Sequence, residues 1–166
     1  MDTTIDATWH RALHDPQLRD LPFKIETNPH GQLILSPHTP FHSRVQSRLL
    51  RLLDDHVADA GEATIEVAVR TDAGVKVPDV VWLSDDRWAR IPEDAEASPV
   101  TPELCVEVRS ESNTDEEMTA KRRLYLDEGA QEVWICDADG RLRVFDAEGE
   151  RSRSALAPTA PDTIDG

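Results

Sequence analysis

Residues 103–136 read ELCVEVRSESNTDEEMTAKRRLYLDEGAQEVWIC, and their periodicities decide the fold. ELCVEVRS predicts a strand, with Leu104, Val106 and Val108 on one side and Cys105, Glu107 and Arg109 on the other. SNTDEEMTAKRRLYLDEGA predicts a helix. Asn113 or Thr114 caps it, acids fill its first turn, basic residues follow, and Gly129 ends it. Met118, Lys121, Arg122 and Tyr125 fall on one face of that helix by the i, i+3, i+4, i+7 rule. QEVWICDADGRLRVFDA then predicts a strand, a D-G turn and another strand.

Upstream, ATIEVAVRT and KVPDVVWLS predict two further strands around a turn at Asp72–Gly74. Residues 85–101 are polar and proline-rich and predict a short helical turn plus a surface loop. Thr39 and Pro40 suit the start of a helix that presents Val45, Leu49, Leu52, Leu53 and His56 on one face and ends at Gly61. Arg44, Arg48 and Arg51 share another face. PFKIETN and QLILSP predict a hairpin, and residues 6–14 a short helix packing Trp9 and Leu13. The fold class expected is α/β, a central mixed sheet flanked by helices with an N-terminal β-hairpin. Residues 1–153 are expected to form one domain, and residues 154–166 a flexible tail rich in Ala, Pro and Thr.

Charged residues at the centres of these apolar runs carry the functional information. Asp79 sits in VPDVVWL, Glu107 in LCVEV, and Lys121 on the helix that follows Glu107. Burying an unpaired charge costs several kcal/mol, roughly 3–5 when a partner is missing, so a core does not place acids on two successive strands without a compensating cation. A divalent metal with a nearby lysine would compensate both acids. Each residue also has a plainer explanation: Asp79 on a solvated face, Glu107 paired with Arg109 or Arg70, and Lys121 laying its stem along the core edge. Pro78 beside Asp79 hints at an edge position or a bulge that re-aims the side chain. His42, Glu66 and Glu26 are accessory candidates.

Composition bounds these readings. The chain has 166 residues, 39% of them hydrophobic, and a net charge of -15. So acidic a surface argues against broad affinity for DNA or anionic membrane, though a local basic patch can serve one site. Cys105 and Cys136 both fall in strands and are expected as buried free thiols, which fits a reducing cytoplasm. No secretory signal or transmembrane run stands out. There is no glycine-rich phosphate loop and no GxSxG elbow. His10, His14, His30, His38, His42 and His56 do not form a strong zinc-binding spacing.

The pattern PDVVW followed by PELCVEVRSESNTDEEMTAKRRLYLDEGAQEVWICDADGRLRVF resembles the Uma-type family of restriction endonucleases, within the PD-(D/E)xK nuclease superfamily. LPFKIETNPHGQLILSPHTPFHSRVQSRLLRLL resembles that family's opening hairpin and first helix, which carries His42. The resemblance spans about residues 9–146. It implies a restriction-endonuclease-like fold with metal ligands at Asp79 and Glu107. The simple superfamily motif has a lysine two residues after the second acid. Arg109 stands there in this chain, and the lysine is displaced to Lys121, which leaves the cationic role between them.

The expectation is then a metal-dependent endonuclease acting on DNA. Asp79, Glu107 and the carbonyl of Val108 would ligate Mg²⁺ or Mn²⁺, with Lys121 as catalytic cation. His42, Glu66, Arg109 and Tyr125 would be accessory, and Arg44, Arg48 and Arg51 would track the DNA backbone. Cutting both strands calls for two sites, hence a homodimer. The alternatives are a nuclease fold that binds nucleic acid without cutting it, or an interaction protein whose acids pair with Arg70 and Arg109.

Overall fold

The computed structural model describes residues 3–164; Met1 and Asp2, and the last two residues of the expected tail, lie outside the described residues. Strand β7 (Leu104–Val108) is buried at all five positions, as an interior strand should be. It runs parallel to β8 (Glu132–Cys136), and helix α4 (Asp115–Asp127) connects the two. Thr114 caps α4 in a reciprocal capping box with Glu117, while Asn113 accepts from Ser110 in the preceding turn.

The remaining strands of this sheet are β3 (Gly61–Ile65), β6 (Val80–Ser84), which the short helix α3 (Asp85–Trp88) follows, β9 (Leu142–Asp146) and β10 (Gly149–Arg151). Their order is β10-β9-β8-β7-β6-β3, and every pair except β7–β8 is antiparallel, so the sheet is mixed. Strand alternation divides its side chains between two layers. Val80, Trp82, Leu104, Val106, Val108 and Trp134 pack with Val45, Leu49, Leu52 and Leu53 of α2 (Pro40–His56). Val81, Leu83, Cys105, Val133 and Ile135 pack with Met118 and Tyr125 of α4. Each fully buried aliphatic side chain contributes about 1.5–3 kcal/mol relative to exposure, so the two helices hold the sheet rigid between them.

A second unit sits beside this sandwich. The hairpin β1 (Phe23–Thr27) and β2 (Leu33–Pro37) and the short ladder β4 (Val69–Thr71) and β5 (Gly74–Lys76) form separate two-stranded sheets. Thr27 joins them, its Oγ1 accepting from the Val75 N–H at 2.8 Å and its carbonyl from Lys76 Nζ at 2.7 Å. Helix α1 (Thr3–His14) covers this unit with Ile5, Trp9 and Ala12 against Val75 and Val77. Leu13, expected to pack with Trp9, is exposed.

Four expectations need correcting. ATIEVAVRT is not one strand: Glu66 adopts φ 54°, and the chain leaves the main sheet there to form β4. KVPDVVWLS is also divided, because Pro78 cannot donate to a ladder and Asp79 falls between β5 and β6. Gly61 opens β3 rather than ending α2, whose last residue is His56. The tail is not loose as far as residue 164. Ala157 and Ile164 are buried in the α2-side core, and Glu132 accepts from Ser154 Oγ at 2.6 Å and from the Ala155 N–H at 2.6 Å. The Leu142 and Ile164 N–H groups donate to the Asp162 and Gly140 carbonyls, which ties the segment to β9. It lacks periodicity, so its burial left no pattern to read. Among the described residues, no helix is long and apolar enough to cross a membrane. Cys105 and Cys136 are buried free thiols, as expected.

Candidate active site

Strand register brings the two acids together. Val80 of β6 lies opposite Val106 of β7, so Asp79, one residue before β6, comes alongside Glu107. Glu107 shares the α4-facing side with Cys105, which aims it at Tyr125 and Lys121. Tyr125 Oη donates to Glu107 Oε1 at 2.7 Å, and Lys121 Nζ lies 3.2 Å from that oxygen. The Val108 N–H donates to Asp79 Oδ2 at 2.7 Å and fixes that carboxylate against β7.

The hairpin completes the cluster from the other side. Strand β1 turns its polar face inward: Lys24 and Glu26 are buried, while Phe23 is exposed. Lys24 Nζ lies 2.8 Å from Asp79 Oδ1 and 3.6 Å from Glu107 Oε2, so one ammonium bridges both acids. Glu26 Oε1 accepts from Lys121 Nζ at 3.2 Å and from the Val77 N–H at 2.8 Å. Neither the depth of Lys24 nor its position between the acids was expected. The available signal was the K-I-E alternation of residues 24–26, two opposite charges on one side of a strand.

His42 stands in the first turn of α2, where Thr39 Oγ1 accepts its N–H. Its Nε2 lies 3.2 Å from Asp79 Oδ1. Gln46, one turn on, donates to the Asp79 carbonyl at 2.9 Å and to Glu66 Oε1 at 3.3 Å. Glu66 therefore belongs to an outer ring, near His38 at 3.6 Å, and touches neither main acid with its side chain.

The charges perturb one another. Burial opposes ionisation of Asp79, but the hydrogen bond from His42 and the charge of Lys24 hold its carboxyl well below the usual range. Burial likewise disfavours the Lys24 ammonium, and Glu107, Asp79 and Glu26 together outweigh it and raise its pKa. Burial pushes the Glu107 carboxyl up despite Lys121 and Lys24. Glu26 is similarly buried, yet Lys121 and Lys24 pull it below its ordinary value. Lys121 is raised: burial is outweighed by Glu107 and Glu26. His42 is raised by its hydrogen bond to Asp79. Burial raises the Tyr125 phenol well above its ordinary value, which keeps it a donor to Glu107.

The donor set suits a hard dication. Two carboxylates, one just before β6 and one on β7, converge on one cationic position, and both donors are oxygens. In this structure the Lys24 ammonium fills that position. Three carboxylates and two ammonium groups are in contact, so the acids are balanced by the protein's own cations apart from about one charge.

The other sequence candidates separate. Arg109 turns away from Glu107 and pairs with Asp115 at 2.6 Å. Arg44 and Arg48 line a cavity of about 160 Å³ with Phe41, Val108, Arg109 and Asp137, next to the end of β7. Arg51, one turn further along α2, is exposed outside this cavity.

Residues 15–166 match the model of the Uma2 family, "Putative restriction endonuclease". The chain belongs to the Uma2 family. Among solved structures, a crystal structure of "a putative nuclease belonging to DUF820" from Anabaena variabilis is similar at TM-score 0.63 and 21% identity, over 76% of this chain and 73% of that one. At that identity the likeness shows the fold alone, an α/β architecture with a mixed central sheet. A "cryoEM structure DrdV-DNA complex" also matches, at TM-score 0.43 and 11% identity, over 89% of this chain and 11% of that one. No curated protein matches the chain. Membership of the Uma2 family supports a nuclease.

Proposed function

We propose that this Uma2 protein is a divalent-metal-dependent endonuclease that hydrolyses phosphodiester bonds of DNA. One observation carries the reading: Asp79, buried just before β6, and Glu107, buried on β7, converge on a single cationic position beside Lys121. Asp79, Glu107 and the Val108 carbonyl would hold Mg²⁺ or Mn²⁺, at the expense of the acids' contact with Lys24. When bound, such a cation polarises the scissile phosphate and lowers the pKa of water.

The chain's own residues supply the rest. Val108 N–H and His42 fix the two oxygens of Asp79, and Tyr125 fixes Glu107, so the acids are preorganised. Lys121 holds its proton more tightly than an ordinary lysine, which suits a fixed positive charge and hydrogen-bond donor more than a general base. It would stabilise negative charge developing on the phosphoryl oxygens. Arg44, Arg48 and Arg51 would track the DNA backbone, with Arg109 at the cavity between. Cutting both strands would require two copies of the site, and a homodimer would supply them.

A second reading has its own support. The acids are nearly balanced by Lys24 and Lys121, so the fold stands without a metal, as a module that binds nucleic acid without cutting requires. Supercoiled plasmid separates the two. The nuclease reading expects nicking that needs Mg²⁺ or Mn²⁺, stops with EDTA, and disappears in Asp79→Ala, Glu107→Ala and Lys121→Ala. Retarded plasmid without nicking would move the assignment to the binding module.

A further inference from the structure

We propose that His10, His14 and Glu96 form a second metal site, separate from the acids of the active site, that takes a borderline dication of the zinc class. His10 and His14 are four residues apart on α1, so their rings stack on one helix face with centroids 4.3 Å apart. His10 Nδ1 and His14 Nε2 both lie 2.7 Å from one oxygen, Glu96 Oε1. All three candidate donor atoms lie within 4.8 Å of one another.

Two imidazoles and a carboxylate are a standard zinc donor set, and two histidines at i, i+4 on a helix are a standard way to present it. Tetrahedral ligands at about 2.0–2.1 Å from zinc stand about 3.3 Å apart. The Glu96 oxygen would therefore retreat from each ring by little more than half an ångström, within reach of small side-chain rotations. Three protein ligands leave the fourth position to water.

The third ligand is far away in sequence but held in place. Trp9 Nε1, on α1 itself, donates to the Glu96 carbonyl at 2.8 Å. Two residues on, Ser98 bridges to Val69 and exchanges backbone hydrogen bonds with Ala68 and Arg70. The loop is thus pinned at Glu96 itself and two residues after it, and the carboxylate is aimed before any metal arrives. Both histidines are open to solvent, with side chains 63% and 60% exposed, so a metal reaches them without unfolding. Unlike the active-site acids, which pair with lysines, Glu96 pairs with the two histidines.

The His10/His14 spacing alone did not distinguish this site, because Glu96 lies in the proline-rich loop expected to be an ordinary surface connection. Metal binding would clamp α1 to that loop. The clamp would brace the unit of β1 and β5 that α1 covers, which carries Lys24, Glu26 and Lys76.

The test is zinc titration by calorimetry on protein freed of any affinity tag, with Mg²⁺ present in excess. Wild type, Asp79→Asn, His14→Gln and Glu96→Gln are compared, each first melted without zinc to establish that it is folded. The proposal expects one tightly bound equivalent in wild type and in Asp79→Asn, at least tenfold weaker binding in His14→Gln and Glu96→Gln, and a zinc-dependent rise in melting temperature only in the first two. A Co²⁺ form with the visible absorption of a tetrahedral site, lost in His14→Gln, would agree. Equal binding by all four proteins, loss of binding in Asp79→Asn, or wild-type affinity no tighter than millimolar would overturn it.

Discussion

Replacing Lys24 with methionine should destabilise the metal-free protein heavily and make its stability depend on a divalent cation. Lys24 is 9% exposed and bridges Asp79 at 2.8 Å and Glu107 at 3.6 Å. Methionine keeps most of the side-chain length, so packing changes little and the lost charge dominates. Removing one partner from a buried ion pair costs about 3–5 kcal/mol, because the other charge stays behind. Protonation of one of the two acids limits the damage. For a chain of this size the loss corresponds to a fall in melting temperature of about 6–20 °C. Urea unfolding of wild type and Lys24→Met, each with EDTA and with millimolar Mg²⁺, reads the effect. Mg²⁺ should recover much of the loss in the variant and do less for wild type, where it has to displace the ammonium. A loss below about 1 kcal/mol, or no difference between EDTA and Mg²⁺ in the variant, would refute the idea that Lys24 neutralises a cation-binding pair of acids.

Tyr125→Phe removes the donor to Glu107 Oε1, and should cost about 1.5–3 kcal/mol in a denaturant melt, since the acceptor is charged and buried. In the metal-free protein, the raised pKa of His42 gives stability that is complete below its unfolded value of about 6.5 and disappears as pH rises through the folded value. The lowered pKa of Asp79 contributes stability above about 3.9, lost as pH falls below that. Melts across pH 5–9 should therefore show a decline on the alkaline side that His42→Gln abolishes. Glu132→Ala strips the acceptor from Trp134, Ser154 and Ala155, and should make residues 154–164 exchange amide hydrogens faster while β7 stays protected. Cys105 and Cys136 are buried, and burial raises both thiols, the second to about 12, so neither should react with a thiol reagent until the protein unfolds.

The central strand and its helix were legible from their periods, Asp79 and Glu107 because each interrupts an apolar run, and Lys121 because it shares a helical face with Met118 and Tyr125. The capping signals at Thr39 and Thr114 were legible for a local reason, since a cap needs only the residues of one turn. What escaped depended on tertiary context. Residues 63–71 keep a strand-like alternation through Glu66, so the departure to a second sheet shows only as a positive φ. Lys24 was hidden because β1 buries its polar side: alternation reveals two faces but does not say which one meets the core. The pairing of Arg109 with Asp115, rather than with Glu107, turns on the chain's path into α4.

The most direct measurement is anomalous diffraction from a crystal soaked in MnCl₂ at the manganese edge. Metal ligation by the two acids predicts a peak between the Asp79 and Glu107 carboxylates, with the Lys24 ammonium withdrawn from both. Manganese absent from that position, with Lys24 still bridging the two acids, would contradict it.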